Sequence, residues 1–156
     1  MSHFRALAIE SDIVHQVRSS GLDPFGAQAE RWVAEDARLP CRHCLHEAPR
    51  NSNVLLISYR PLKQDTPYAG RGPIFVCADK CGRYAEVNTL PEIVASRNVN
   101  LRAYTASGRM LYSHSRLTAG AEAKEHIAGM LSDEEVGEVH AHTALHGCFL
   151  CKFVRG

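Results

Sequence analysis

The chain has no apolar run approaching the roughly 20 residues that a membrane-spanning helix needs, so no transmembrane helix is expected. It also lacks an excess of either charge: 18 Lys and Arg face 17 Asp and Glu, a formal net charge of +1. A dedicated nucleic-acid binder would carry a basic stripe, and that class is disfavoured. Such a balance permits self-association, so a homo-oligomer is compatible with the composition. The start, Met1-Ser2-His3-Phe4-Arg5-Ala6, shows no basic segment leading into an apolar one, which argues against a secretory signal. Internal repeats and low-complexity linkers are missing too. What these absences leave is a globular chain of 156 residues with 45% apolar content, read as a single domain over 1–156 with a cytoplasmic location.

Against this background the six cysteines stand out. A reducing compartment disfavours a disulfide framework, and paired cysteines there point to metal or redox chemistry. They fall into three pairs, Cys41/Cys44, Cys77/Cys81 and Cys148/Cys151. The first lies in Pro40-Cys41-Arg42-His43-Cys44-Leu45-His46, the densest concentration of potential ligands in the chain. A tetrahedral zinc site takes four soft ligands, commonly two from each of two tight turns. Cys41 and Cys44 fit one such turn. Cys77 and Cys81, at the end of an apolar stretch and followed by Gly82, fit the other. The leading expectation is therefore a zinc ion held by Cys41, Cys44, Cys77 and Cys81.

The third pair fits less well. Strand alternation would put Phe149, Cys151 and Phe153 on one face and Cys148, Leu150 and Lys152 on the other, unless a bulge intervenes. Cys151 then reads as a core residue and Cys148 as the freer thiol. His140 and His142, two apart in a strand, share a side. Together with Cys148 they are the alternative partners for Cys41 and Cys44. Arg102 and Tyr104 also share one strand face, where they can either meet an anion or simply face solvent.

The remaining pattern is α+β, with a mostly antiparallel sheet and two or three short helices. Strands are expected at Phe4–Ile9, Val54–Tyr59, Pro73–Cys77, Val99–Tyr104, Met110–Leu117, Val136–Thr143 and Cys148–Val154. A helix from Ser11 or Asp12 to Ser19 should stop at Gly21. Thr89-Leu90-Pro91-Glu92 has capping-box spacing before a short helix to about Ser96. A third helix is expected from Thr118 through Leu131. Residues 27–37 are ambiguous, because Phe25, Ala29, Trp32 and Val33 have helical spacing while Trp32 and Val33 also suit a short strand. Asp23-Pro24-Phe25-Gly26 and Thr105-Ala106-Ser107-Gly108-Arg109 read as turns.

Several of these segments resemble the bacterial family catalogued as domain of unknown function 1203. They are Asp23-Pro24-Phe25-Gly26, Pro40-Cys41-Arg42-His43-Cys44-Leu45, Pro67-Tyr68-Ala69 with Gly72-Pro73-Ile74-Phe75-Val76, Leu101-Arg102-Ala103-Tyr104 and Gly147-Cys148-Phe149. The resemblance spans most of the chain and implies a small, soluble, single-domain bacterial protein. It carries no activity, substrate or cofactor, so function rests on the residues.

Three readings follow from them. In the first, zinc is bound by cysteine pairs; four thiolates make a closed structural site, and three would leave a position able to activate water for hydrolysis. In the second, Cys41 and Cys44 form a thiol redox site whose pKa values Arg42 and His43 depress. Pro49 prevents a long helix after that motif, which counts against a thioredoxin-like arrangement. In the third, the protein is a non-enzymatic interaction module with an unknown partner.

Overall fold

The computed structural model describes residues 3–35 and 38–156. Met1, Ser2 and the last two residues of the ambiguous 27–37 segment lie outside the described residues. Among the described residues eight strands form two antiparallel sheets, in the α+β arrangement that the sequence pattern predicts. The larger sheet has the order β1-β8-β7-β5-β6, built from β1 (Phe4–Leu7), β5 (Asn98–Tyr104), β6 (Arg116–Ala119), β7 (Glu138–Thr143) and β8 (Phe149–Arg155). The smaller has the order β2-β3-β4, from β2 (Glu30–Val33), β3 (Asn53–Tyr59) and β4 (Gly72–Cys77). Three α-helices accompany them: α1 (Ser11–Ser20), α2 (Glu92–Ala95) and α3 (Ala123–Leu131). Among the described residues no helix is long and apolar enough to cross a membrane.

Alternation divides the faces of the larger sheet. Val99, Leu101 and Ala103 on β5, Val139 and Ala141 on β7, and Cys151 and Phe153 on β8 turn to one side. There they bury against Ala123, Ile127, Met130 and Leu131 of α3 and Ile93 and Val94 of α2. A fully buried Ile or Leu contributes about 1.5–3 kcal/mol relative to exposure, so this layer is the main apolar store of the fold. The opposite face carries Asn100, Arg102 and Tyr104 from β5 and Glu138, His140 and His142 from β7. A second core lies between α1 and the smaller sheet, joining Ile9, Val14 and Val17 to Ile57, Tyr59, Ile74 and Val76, with Phe149 reaching in from β8.

Local signals explain many of the boundaries. Gly21, at φ 73°, ends α1, and its N–H donates to the Val17 carbonyl at 2.8 Å. Asp23 caps its own turn by accepting from the N–H groups of Phe25 and Ala27 at 2.9 Å each. Gly108, at φ 83°, closes the 105–109 turn.

Of the helix and the short strand that are the alternatives around Trp32 and Val33, the strand forms, at Glu30–Val33. There the backbone pairs with β3, and Trp32 meets Phe75 edge-on at 5.5 Å between ring centres. Pairing with an available strand edge outweighs a weak propensity for helix. No capping box forms at Thr89: Pro91 is the residue before the helix, and the Thr89 hydroxyl donates to the Val87 carbonyl instead.

The expected strand Met110–Leu117 is interrupted. Met110 makes a single bridge to Tyr104 of β5, a 3₁₀ turn occupies Tyr112–His114, and the ladder with β5 is formed by Arg116–Ala119. The third helix accordingly begins at Ala123 rather than Thr118, after a 3₁₀ turn at Gly120–Glu122. Gly120 is required there, because a Cβ would collide with the carbonyl oxygens of Val94 and Arg97.

Strand β8 carries a bulge. Ala141 faces Cys151 but His142 faces Phe149, so Leu150 is the extra residue. Phe149 therefore leaves the face of Cys151 and Phe153, contrary to simple alternation. It packs in the second core, while Leu150 and Cys151 pack in the first.

Candidate metal centre

The turn 40–47 is the joint between the two layers. Its own closure uses the Leu45 N–H to the Cys41 carbonyl (2.9 Å) and the Cys41 N–H to the His46 carbonyl (2.9 Å). Leu45 adopts φ 58°, an uncommon conformation for a branched side chain, and is fully buried in the first core. Burial of that side chain offsets the backbone strain. The Ile9 N–H donates to the Arg42 carbonyl, the Arg42 N–H to the Phe75 carbonyl, and the Tyr84 N–H to the His43 carbonyl, at 2.9–3.0 Å. Arg42, itself buried, spans the joint by donating from Nε to the Phe149 carbonyl and from Nη1 to the Pro40 carbonyl, each at 2.7 Å. Desolvation lowers the Arg42 pKa to about 10, which leaves it charged at neutral pH.

This packing places the turn beside the end of β4, where Cys77 closes the strand and Cys81 follows a bend. The sulfurs of Cys41, Cys44, Cys77 and Cys81 all lie within 4.8 Å of one another, close enough to hold a metal ion. Cys41 Sγ and Cys81 Sγ are 3.9 Å apart. A tetrahedron with Zn–S bonds of 2.3 Å has edges of about 3.8 Å. All six cysteines are free thiols.

Around the sulfurs stand donors suited to thiolates. The Cys77 N–H donates to Cys41 Sγ at 3.2 Å. Arg18, on the last turn of α1, donates from Nη2 to Cys81 Sγ at 3.2 Å and from Nε to the Cys77 carbonyl at 3.0 Å. His43 places Nδ1 3.2 Å from Cys81 Sγ and Nε2 2.8 Å from the Ser11 hydroxyl. The Ser11 hydroxyl can donate to Nε2, which leaves the Nδ1–H to point at the sulfur.

The four thiols share protons unevenly. Hydrogen bonds from Cys41, then Cys44 and Cys77, with help from His43, hold Cys81 far below the ordinary thiol range. The Cys44 and then Cys77 hydrogen bonds bring Cys41 down to about 6. As donors, Cys44 and Cys77 are pushed up, each first by its bond to Cys41. Two ready thiolates and two thiols that would ionise on meeting a cation describe a donor set prepared for a metal.

The remaining predicted site residues lie elsewhere. Among the described residues the group of potential metal-ligand atoms that includes Cys41 and Cys44 is completed by Cys77 and Cys81, and His140, His142 and Cys148 lie outside it. His140 Nε2 is 2.7 Å from a Glu138 carboxylate oxygen, and His142 Nδ1 is 2.9 Å from the Gly147 carbonyl. Cys148 is half-buried, and its N–H donates to the Thr143 hydroxyl. His46 pairs with Glu92 at the surface, Glu47 with Arg97 and Arg38, and Asp79 is exposed. The contacts of Ser11 and Arg18 escaped the sequence reading, since α1 lies far from the cysteines along the chain and nothing local marks them.

A family model described as a protein of unknown function, DUF1203, matches residues 38–155. The chain belongs to this family. The match contains all four clustered cysteines and His43 but not Ser11 or Arg18 of α1. No curated protein and no solved structure matches the chain.

With Ser11 donating to its Nε2, His43 points Nδ1–H at the Cys81 sulfur and so helps to orient a candidate ligand. Loss of such a partner typically weakens metal binding about 10–100-fold. For a metal ion held by the four sulfurs, His43→Ala is expected to lower the affinity in that range, as read by competition with a chromogenic chelator. An unchanged affinity would show that the contact is incidental.

Proposed function

We propose that the protein binds one zinc ion through Cys41, Cys44, Cys77 and Cys81, and that the ion is structural. The observation that carries this reading is the mutual approach of four sulfurs from two separate segments to within 4.8 Å. Thiolate softness favours zinc among the common intracellular divalent ions that lack redox chemistry. Four thiolates fill a tetrahedron and leave no position for a substrate or an activated water, so a closed centre accords with the donor set and a hydrolytic one does not. Location supports the same conclusion: the 40–47 turn is tied by hydrogen bonds to Ile9, Phe75, Tyr84 and Phe149, and the ion would clamp it to the end of β4.

The test is elemental analysis of protein purified without chelators, combined with thiol titration before and after denaturation. One equivalent of zinc is expected, with the four cluster thiols and the buried Cys151 protected until denaturation. Cys41→Ser should lose the metal. Cys151→Ser, buried in the first core away from the cluster, should keep it. Metal-free protein with a reversible Cys41–Cys44 disulfide would replace this reading with a thiol redox function.

A further inference from the structure

The polar face of the larger sheet is only partly open to solvent. It is covered in part by the segment 60–71 that joins β3 to β4, and a cavity of about 280 Å³ lies between them. Its walls include Arg102, Tyr104, His140, His142, Phe149 and Tyr59. None of these residues belongs to the cysteine cluster. That volume is near the lower end of the range that takes small organic ligands.

His142 is only 7% exposed. Its Nδ1 faces the Gly147 carbonyl, which can only accept, so Nδ1 carries the ring proton and Nε2 presents a lone pair. That Nε2 is buried and has no hydrogen-bond partner. A buried acceptor without a partner is costly, and a ligand hydroxyl would satisfy it. Burial, and then the charge of Arg102, pull the His142 pKa to about 3, so the ring stays a neutral acceptor at physiological pH.

Arg102 supplies the second anchor. Its Nε donates to Asn100 Oδ1 at 2.7 Å, and among the described residues no carboxylate pairs with it. The acidic group on this face, Glu138, is already engaged by His140 at 2.7 Å and Lys152 at 3.6 Å. Arg71 also lines the cavity, although its guanidinium stacks on the Phe25 ring at 4.6 Å. The space therefore favours an anion. Strand register then limits its shape. Asn100 faces His142 and Arg102 faces His140, so Arg102 and His142 are diagonal neighbours. Such pairs stand about 7–8 Å apart. One small molecule reaches both only if its acid and its hydroxyl are separated by a few bonds. Tyr104, Phe149 and Tyr59, all buried, supply apolar walls for a carbon body.

We propose that this cavity is a binding site for a small hydroxy acid, with its carboxylate on the guanidinium of Arg102 and its hydroxyl donating to Nε2 of His142. The site is separate from the cysteine centre, and the proposal stands or falls without it.

Isothermal titration of the full-length protein, as purified, with mandelate, lactate and malate tests it. At least one should bind saturably. For that acid, the analogue lacking the hydroxyl and the analogue with an amide in place of the carboxylate should each bind about tenfold or more weakly, because each loses one charge-assisted or buried hydrogen bond. Arg102→Met and His142→Phe should each weaken binding to a similar degree. The analogue series reads on the wild-type chain, so it decides the matter even where a variant folds poorly. Absence of saturable binding by all three acids overturns the proposal, as does equal affinity for a hydroxy acid and both of its analogues.

Discussion

Stripping the proposed zinc from the four-cysteine centre is expected to produce the largest loss of stability that can be inflicted without touching the apolar core. Structural zinc in small peptide sites contributes about 10–16 kcal/mol of apparent binding free energy at neutral pH, against a typical domain stability of about 5–15 kcal/mol. Once the cation is gone, thiolates left in one pocket repel one another until they take up protons. The damage should be local before it is global. The proposed ion would add a clamp between the 40–47 turn and the end of β4, and the amides of Ile9, Arg42 and Tyr84 are bonded into or from that turn.

By contrast, the layer of α2 and α3 on the larger sheet has its own apolar cluster, entered by the turn only through Leu45. Hydrogen exchange after chelation should therefore show early loss of protection at Ile9, Arg42, Cys77 and Tyr84, with Leu101, Val139 and Phe153 still protected. The thermal midpoint should fall by well over 10 °C, given about 2–4 °C per kcal/mol for a chain of this size. An unchanged midpoint and exchange pattern after verified metal removal would overturn the structural role.

Acid is expected to destabilise the fold through His142. This residue titrates near its ordinary value of 6.5 when unfolded, but burial first, and then Arg102, hold it to about 3 in the native state. The unfolded chain therefore takes up the proton before the native one does. Stability from this group is complete above pH 6.5 and is lost progressively as pH falls towards 3. At pH 5 the loss relative to pH 7.5 is about 2 kcal/mol, from about 1.4 kcal/mol per pH unit below the unfolded value. His140 is shifted in the same direction, again first by desolvation, and steepens the trend.

Denaturant unfolding between pH 7.5 and 5 measures the effect, and His142→Phe isolates it. Protonation of the thiolates acts on both proteins, so the difference between their slopes reports His142 alone. Parallel pH profiles for wild type and His142→Phe would show that the imidazole is already solvated in the native state.

How much of this was legible beforehand differs between the two sites. The cysteine centre was readable because both halves are local signals. Cys41/Cys44 sits in a turn after Pro40, and Cys77/Cys81 follows an apolar strand that ends at a bend. Each spacing aims two sulfurs the same way whatever the rest of the chain does. The groups that tune those sulfurs were not readable. Arg18 lies on α1, and Ser11 acts through His43, and neither residue has a local pattern that distinguishes it from ordinary helix surface. The cavity was visible only in part. Arg102 and Tyr104 were recognisably on one face of their strand, and His140 and His142 on one face of theirs, but a solvent-facing surface was the cheaper explanation until the 60–71 segment was seen to cover it.

Fold elements divide along the same line. Period-two alternation at Val99, Leu101 and Ala103, the glycines at 21 and 108 and the apolar runs of β3 and β4 each act within a few residues, where sterics and hydrogen-bond geometry dominate. These the amino-acid sequence by itself determined, together with the cysteine pairs. Elements chosen by partners distant in the chain were decided by tertiary structure alone. Pairing with β3 made a strand of Glu30–Val33, and close backbone approach at Gly120 delayed α3. The bulge at Leu150 sent Phe149 and Cys151 to opposite cores. In each case several local conformations differ by less than about 1 kcal/mol per residue, and burying an apolar surface or completing a hydrogen-bond ladder outweighs that difference. His142 follows the same rule: only when two layers close over it does an ordinary strand histidine become a buried acceptor without a partner.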